Sequence, residues 1–245
     1  MKIIYEPKGR AKEYADLACN SYWGCPHSCK YCFGPNVMRA VREKYHEEVK
    51  PRTEPIKKWF EHDCILMEQN HDTRRVHMNF ISDPYPVLEK EIHLTRYCIE
   101  KAMEHGVGVN ILTKGKYDTV RPDFDLFKAA GVHFGVTCCF ADDKLRAEWE
   151  PNAATVQERM KLLTEAHNLG IFTWVSMEPV IDTDDAIRFL DTMHPWVDLW
   201  KIGKLNYHEH EKTVDWVKFR NDLTAMLERL GIKNYIIKKD LLEAK

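Results

Sequence analysis

The sequence predicts an α/β fold, a partial (β/α)6 TIM-like barrel with a C-terminal closing helix and a short last strand. Three observations carry that reading. Six short β-rich runs recur along the chain, amphipathic runs separate them, and 245 residues fall short of the roughly 250 or more that a closed eight-unit barrel usually needs. Strand–helix alternation of this kind calls for parallel βαβ units. One domain over residues 1–245 is expected, with its core at about 17–205 and an extension at about 206–245.

The strands are read at residues 17–22, 76–81, 107–113, 132–139, 171–177 and 197–202. Among the helices between them the clearest spans 155–169: Thr155 and Glu158 form a capping box, Gly170 suits a C-cap, and Val156, Met160, Leu163 and Ala166 recur at helical spacing. A similar stripe, Leu88, Ile92, Cys98 and Ala102, precedes Gly106. Another, Val214, Val217, Leu223, Leu227 and Leu230, precedes Gly231 and would be the closing helix, followed by a strand at 235–238. In barrels of parallel strands the chemistry gathers at the C-terminal strand ends, so residues that end each run become site candidates.

Composition excludes some classes. With 44% hydrophobic and 30% charged residues the chain is neither disordered nor a minimal disulfide scaffold. Its 36 basic and 38 acidic residues leave a net charge of -2, so no global basic field advertises a polyanion partner. No apolar run approaches the ~20 residues of a membrane span, and the start MKIIYEPKGR lacks a signal-peptide core. A cytoplasmic protein without membrane contact is expected.

Eight cysteines in such a protein are poor disulfide candidates, and four of them, Cys19, Cys25, Cys29 and Cys32, lie within fourteen residues. The segment from Cys25 to Cys32 follows the first strand, in a loop that can wrap a cluster. Three thiolates at these spacings can hold three irons of a [4Fe-4S] cube and leave the fourth iron to a small chelating molecule. A four-thiolate zinc site with Cys19 as the fourth ligand is the other reading, and would make the chain a non-catalytic binding module.

The Cys-x3-Cys-x2-Cys run, with Tyr31 just before its last cysteine and a strand before it, resembles the radical S-adenosylmethionine superfamily. Further elements are similar to the spore photoproduct lyase branch: Ser82-Asp83-Pro84-Tyr85 after the second strand, Thr113-Lys114 ending the third, Val136-Thr137 ending the fourth, and Glu150-Pro151 before the capped helix. The resemblance covers roughly 17–205. It implies that Cys25, Cys29 and Cys32 hold a [4Fe-4S] cluster and that S-adenosylmethionine binds the open iron, and that one electron from a reductant such as flavodoxin or ferredoxin releases a 5′-deoxyadenosyl radical. It also implies that Ser82 and Asp83 receive the methionine amino group, that Lys114 partners its carboxylate, and that Thr137 contacts the ribose or carboxylate.

Ser176 and Glu178, which end the fifth run, and Lys201, Lys204 and Asn206, which end the sixth, are candidates for substrate or adenosine as polar groups on the active rim. His208 and His210 read as part of a polar loop. Spore photoproduct lyases place a hydrogen-returning cysteine two residues before the serine that matches Ser82, and this chain has Phe80 there. Cys138 and Cys139 are the substitute donors, unless they are small buried hydrophobes.

The sequence therefore points to an oxygen-sensitive radical enzyme. Isomerisation or modification of a thymine-derived base or nucleotide in DNA is expected in preference to repair. A small metabolite or a peptide is the alternative substrate class.

Overall fold

The computed structural model describes residues 2–244. Seven strands form one parallel sheet: β1 (Leu17–Cys19), β2 (Val76–Met78), β3 (Val109–Thr113), β4 (His133–Thr137), β5 (Thr173–Val180), β6 (Leu199–Lys204) and β7 (Tyr235–Ile237), in unbroken sequential order. That order, with helices in the connections, is an open part of a TIM-like barrel, as expected. The last short strand does more than close the chain: Trp200, Lys201 and Ile202 pair in parallel with Tyr235, Ile236 and Ile237, making it a seventh sheet member.

The first two strands stop earlier than their apolar runs, and two asparagines explain why. Asn20 Oδ1 accepts from the N–H groups of Phe80 and Ile81 at 2.8 and 3.1 Å, and Asn79 Oδ1 accepts from Ser21 N–H at 2.6 Å. These side chains replace the ladder and splay the backbones apart. The chain beyond β1 then pairs Tyr22 and Trp23 with Lys50 and Pro51 in a separate antiparallel ribbon.

Among the helices are α1 (Ile56–Gln69), α2 (Leu94–Glu104), α3 (Phe124–Ala129), α4 (Val156–Asn168), α5 (Thr183–Met193) and α6 (Trp216–Arg229). In α4 the expected capping box forms, Thr155 Oγ1 accepting from Glu158 N–H at 3.1 Å and Glu158 accepting from Thr155 N–H at 2.8 Å. The Leu88 to Ala102 stripe is two helices, because His93 adopts a left-handed conformation between them. In α6, Trp216 and Phe219 join Leu223 and Leu227 on the buried face in place of Val214 and Val217.

Outward-facing strand residues such as Cys19, Met78, Ile111, Phe134, Val175 and Ile202 pack against the helices and form the main core. The N-terminal segment crosses the open side of the sheet. Tyr5 bridges to Ala18, Arg10 pairs with Asp240 beyond β7, and Tyr14 enters the interior near His77, Phe80 and Trp174. Two glycines make room there: a methyl group on Gly135 would lie 2.4 Å from the Trp174 ring, and one on Gly203 would lie 2.8 Å from the Glu178 carboxyl. Among the described residues no helix is long and apolar enough to cross a membrane.

Candidate active site

Cys25, Cys29 and Cys32 lie in the loop beyond β1, whose backbone is pinned from several sides. Cys25 N–H donates to the Tyr45 carbonyl at 3.1 Å, and Lys30 N–H donates to the Trp149 carbonyl at 2.9 Å. Arg42 reaches the Cys29 and Cys32 carbonyls at 3.3 and 2.8 Å, His46 Nδ1 meets the Cys25 carbonyl at 2.8 Å, and Asn152 donates to the Pro26 carbonyl at 3.0 Å. With so many carbonyls held, the loop has a defined shape before any metal binds.

Burial raises the pKa of all three thiols, well above the ordinary value for Cys25 and to about 12 for Cys29. Three crowded thiolates would be unstable there alone, so they need the positive charge of a metal centre to ionise, which is what a coordinating centre supplies. Cys19 is not with them. It is fully buried in the outer core, where it interacts with Cys64 and, through Cys98, with the face of α1 and α2. A zinc site of four thiolates thus lacks its fourth ligand, whereas a three-thiolate cluster lacks nothing. The residues present fit a [4Fe-4S] cluster.

Asp83 ties the loop to β3. Its carboxylate accepts from Tyr85 N–H at 2.8 Å, Thr113 Oγ1 at 2.5 Å and Lys114 N–H at 2.7 Å, and His27 Nε2 of the cysteine loop lies 3.1 Å away. Burial works against its charge, yet the His27 ring and these donors hold its pKa down at about 2. Ser82 donates to the Tyr22 carbonyl at 3.1 Å. Both residues sit at the expected strand end, already engaged with the chain.

Lys114 stands over the Tyr31 ring, its Nζ 5.6 Å from the centroid, and among the described residues it has no hydrogen-bonded acid. Burial alone would lower its pKa, but the Cys29 thiolate and Glu150 outweigh burial and keep it charged. Tyr31 donates its hydroxyl to Glu150. Glu150 is fully buried and paired with Arg159 at 2.5 Å, and Arg159, also fully buried, donates to the Ala154 and Thr137 carbonyls at 3.0 and 2.8 Å. This buried pair is absent from the sequence reading. Its signal was present: Arg159 lies with Val156, Leu163 and Ala166 on the core face of α4, the place assigned to Met160, and a charge there requires a buried partner.

Thr137 is buried at the end of β4. Cys138 and Cys139 are fully buried, their thiols directed to the Phe140 carbonyl at 3.5 Å and the Pro179 carbonyl at 2.7 Å.

Ser176 and Glu178 belong to a second polar group centred on Tyr14. The Tyr14 hydroxyl meets Ser176 Oγ at 2.9 Å and donates to Glu178 Oε2 at 2.6 Å. Lys238 reaches Glu178 at 2.7 Å, and Lys201 donates to the Tyr14 carbonyl at 2.8 Å. Lys201 is a buried interior residue. Lys204 and Asn206 remain on the rim, with Lys204 over the Trp216 ring, while His208 and His210 flank Trp149.

Burial and the nearby Lys238 depress the Lys201 pKa to about 8 from an ordinary 10.5. Between those values the unfolded chain holds the proton that the folded chain has shed, so the contribution to stability rises with pH across that window. Relative to Lys201→Met, the wild type should gain about 3 kcal/mol of unfolding free energy between about pH 7 and about pH 11. Urea titrations of both proteins check this, and a difference that stays flat with pH refutes it.

Comparison with known proteins gives the family and the fold. A family model described as the Radical SAM superfamily matches residues 20–194. An uncharacterized protein of Methanocaldococcus jannaschii is 27% identical over 194 residues, which are 78% of this chain and 71% of that protein. Streptococcus suis SuiB, in a structure bound to S-adenosylmethionine, superposes with a TM-score of 0.68 at 12% identity, covering 93% of this chain and 51% of SuiB. This chain thus spans about half the length of SuiB. Spore photoproduct lyase complexed with dinucleoside spore photoproduct superposes with a TM-score of 0.65 at 13% identity, covering 95% of this chain and 80% of the lyase. At such identities the two structures speak for the fold.

Proposed function

Because the chain belongs to the radical S-adenosylmethionine superfamily, we propose that Cys25, Cys29 and Cys32 hold a [4Fe-4S] cluster beside which S-adenosylmethionine binds, and that the substrate is a thymine-derived base or nucleotide in DNA. The observation that carries the chemistry is the pinned loop of three thiols, Cys29 buried and Cys25 and Cys32 half-buried, apart from Cys19 in the outer core. A cluster held there would supply one-electron chemistry: with a reductant such as flavodoxin or ferredoxin, S-adenosylmethionine beside it would be cleaved to a 5′-deoxyadenosyl radical able to abstract hydrogen from substrate.

The protein's own part is positioning. Lys114, kept charged by Cys29 and Glu150, offers its ammonium to the methionine carboxylate. Asp83 already uses most of its lone-pair sites on Tyr85, Thr113 and Lys114, so with Ser82 it shapes the amino-group pocket and fixes the loop. Thr137 borders the ribose from β4. Ser176 and Glu178 act by holding Tyr14, which fills the interior of the barrel.

For the substrate, support comes from the rim. Two open grooves of 690 and 640 Å³ share His208. The first carries Lys30 and Arg42 beside the cysteine loop, and the second carries Lys204 and the exposed Tyr207. Trp149 lies between Lys30 and His208, at 5.5 Å from the Lys30 Nζ and 5.0 Å from the His208 ring. Cations interleaved with aromatic rings suit unstacked bases. Glu43, Glu47, Glu209 and Glu211 line the same grooves, which favours one displaced base over an extended duplex footprint. Phe80 stacks on His77 at 4.4 Å where the lyases keep a thiol, and Cys139 would have to leave the Pro179 carbonyl to replace it, so isomerisation or modification is the reading in preference to repair.

The reconstituted enzyme should change the mass or retention of a thymidine-derived nucleoside after incubation with modified or unmodified DNA and digestion. Formation of 5′-deoxyadenosine with every DNA unchanged would remove DNA as substrate and move the chemistry to a metabolite or peptide.

A further inference from the structure

The phenol of Tyr45, on the short helix Arg42–Glu47, is fully buried, and its hydroxyl has no hydrogen-bond partner among the described residues. Buried hydroxyls are almost always paired, so an unpaired one points to a partner from outside the chain.

Two contacts locate that partner. The Tyr45 carbonyl accepts from Cys25 N–H at 3.1 Å, which fastens the residue to the cysteine loop. A methyl group on Gly34 would lie 2.4 Å from the Tyr45 hydroxyl oxygen, so the hydroxyl rests against the backbone two residues beyond Cys32.

We infer that the Tyr45 hydroxyl donates a hydrogen bond to the sulfur shell of the cluster held by Cys25, Cys29 and Cys32, and that this bond raises the cluster's reduction potential. The inference rests on the cluster reading above. Reduction adds negative charge to the sulfurs, so a donor aimed at them stabilises the reduced state more than the oxidised one. Gly34 serves this arrangement, since any side chain there would displace the hydroxyl.

Tyr45→Phe removes only the oxygen, and Trp23 packed edge-on at 5.7 Å can hold the phenyl ring in place. The wild type and Tyr45→Phe would be reconstituted anaerobically, assayed for iron and sulfide, and titrated by electron paramagnetic resonance. The expected result is equal iron and sulfide with a midpoint lowered by about 59 mV, a tenfold less favourable one-electron reduction. A variant apoprotein that unfolds in urea like wild type but takes up less iron would also support the contact. Equal iron, sulfide and midpoints in both proteins would overturn it. Zinc without sulfide in the wild type would overturn the cluster reading instead.

Discussion

Cys29→Ala should abolish 5′-deoxyadenosine formation, to background, and strip most of the iron from the reconstituted protein, while Cys19→Ala leaves both intact. The expectation follows from geometry. Cys29 is buried at the centre of a loop whose carbonyls are fixed by Arg42, His46 and Asn152, so the loop cannot shift to offer another ligand. Three thiolates hold three irons, and losing one leaves an iron without protein ligand. Cys19, by contrast, is a core residue beside Cys64, and its truncation should cost about 1–2 kcal/mol of stability with no effect on iron. Iron and sulfide analysis with anaerobic chromatography distinguishes the outcomes. Zinc at one per chain, lost in Cys19→Ala as much as in Cys29→Ala, would mean a structural site and no radical chemistry.

The second large effect lies at the ion pair behind Lys114. Arg159→Met should destabilise the protein by about 3–5 kcal/mol, because it leaves the fully buried Glu150 without its counter-charge. The Ala154 and Thr137 carbonyls lose their donor as well, and the second of these ends β4 beside the candidate S-adenosylmethionine site. Restoring charge balance with the double change Glu150→Gln and Arg159→Met should recover a good part of the loss. A double-mutant cycle in urea measures the coupling, and additive single effects would show that the two charges do not depend on each other. The double variant, lacking the carboxylate that supports the Lys114 charge, should still bind S-adenosylmethionine more weakly than wild type.

Much of this architecture is written in local patterns. The period of apolar residues marks the strand cores and α4, and the capping box at Thr155 and Glu158 forms as read. The cysteine spacing marks the cluster loop, and the Phe80 substitution is visible without coordinates. Patterns of single side chains failed where side chains act across the fold. Asn20 and Asn79 shorten two strands, Asn20 accepting from Phe80 and Ile81 N–H and Asn79 from Ser21 N–H, though they are 59 residues apart in sequence. Arg159 was hidden because a buried charge interrupts an apolar stripe only in the company of a partner, and Glu150 sits in a different segment. Lys201 reads as a rim or solvent residue from its strand, yet the N-terminal segment covers it.

What the sequence determined by itself is what neighbouring residues decide: the alternation that demands a parallel sheet, the helix caps, and a loop that brings three thiols together over eight residues. Only the tertiary structure decided which charges are paired, which thiol is excluded from the loop, and that Tyr14 enters the barrel interior while Tyr45 is buried against the cysteine loop. Local periodicity is set by backbone geometry over a few residues, whereas burial and the partner of a polar group depend on segments that fold brings from elsewhere. For that reason the three candidate cluster cysteines were legible in the chain, and the groups packed around them were not.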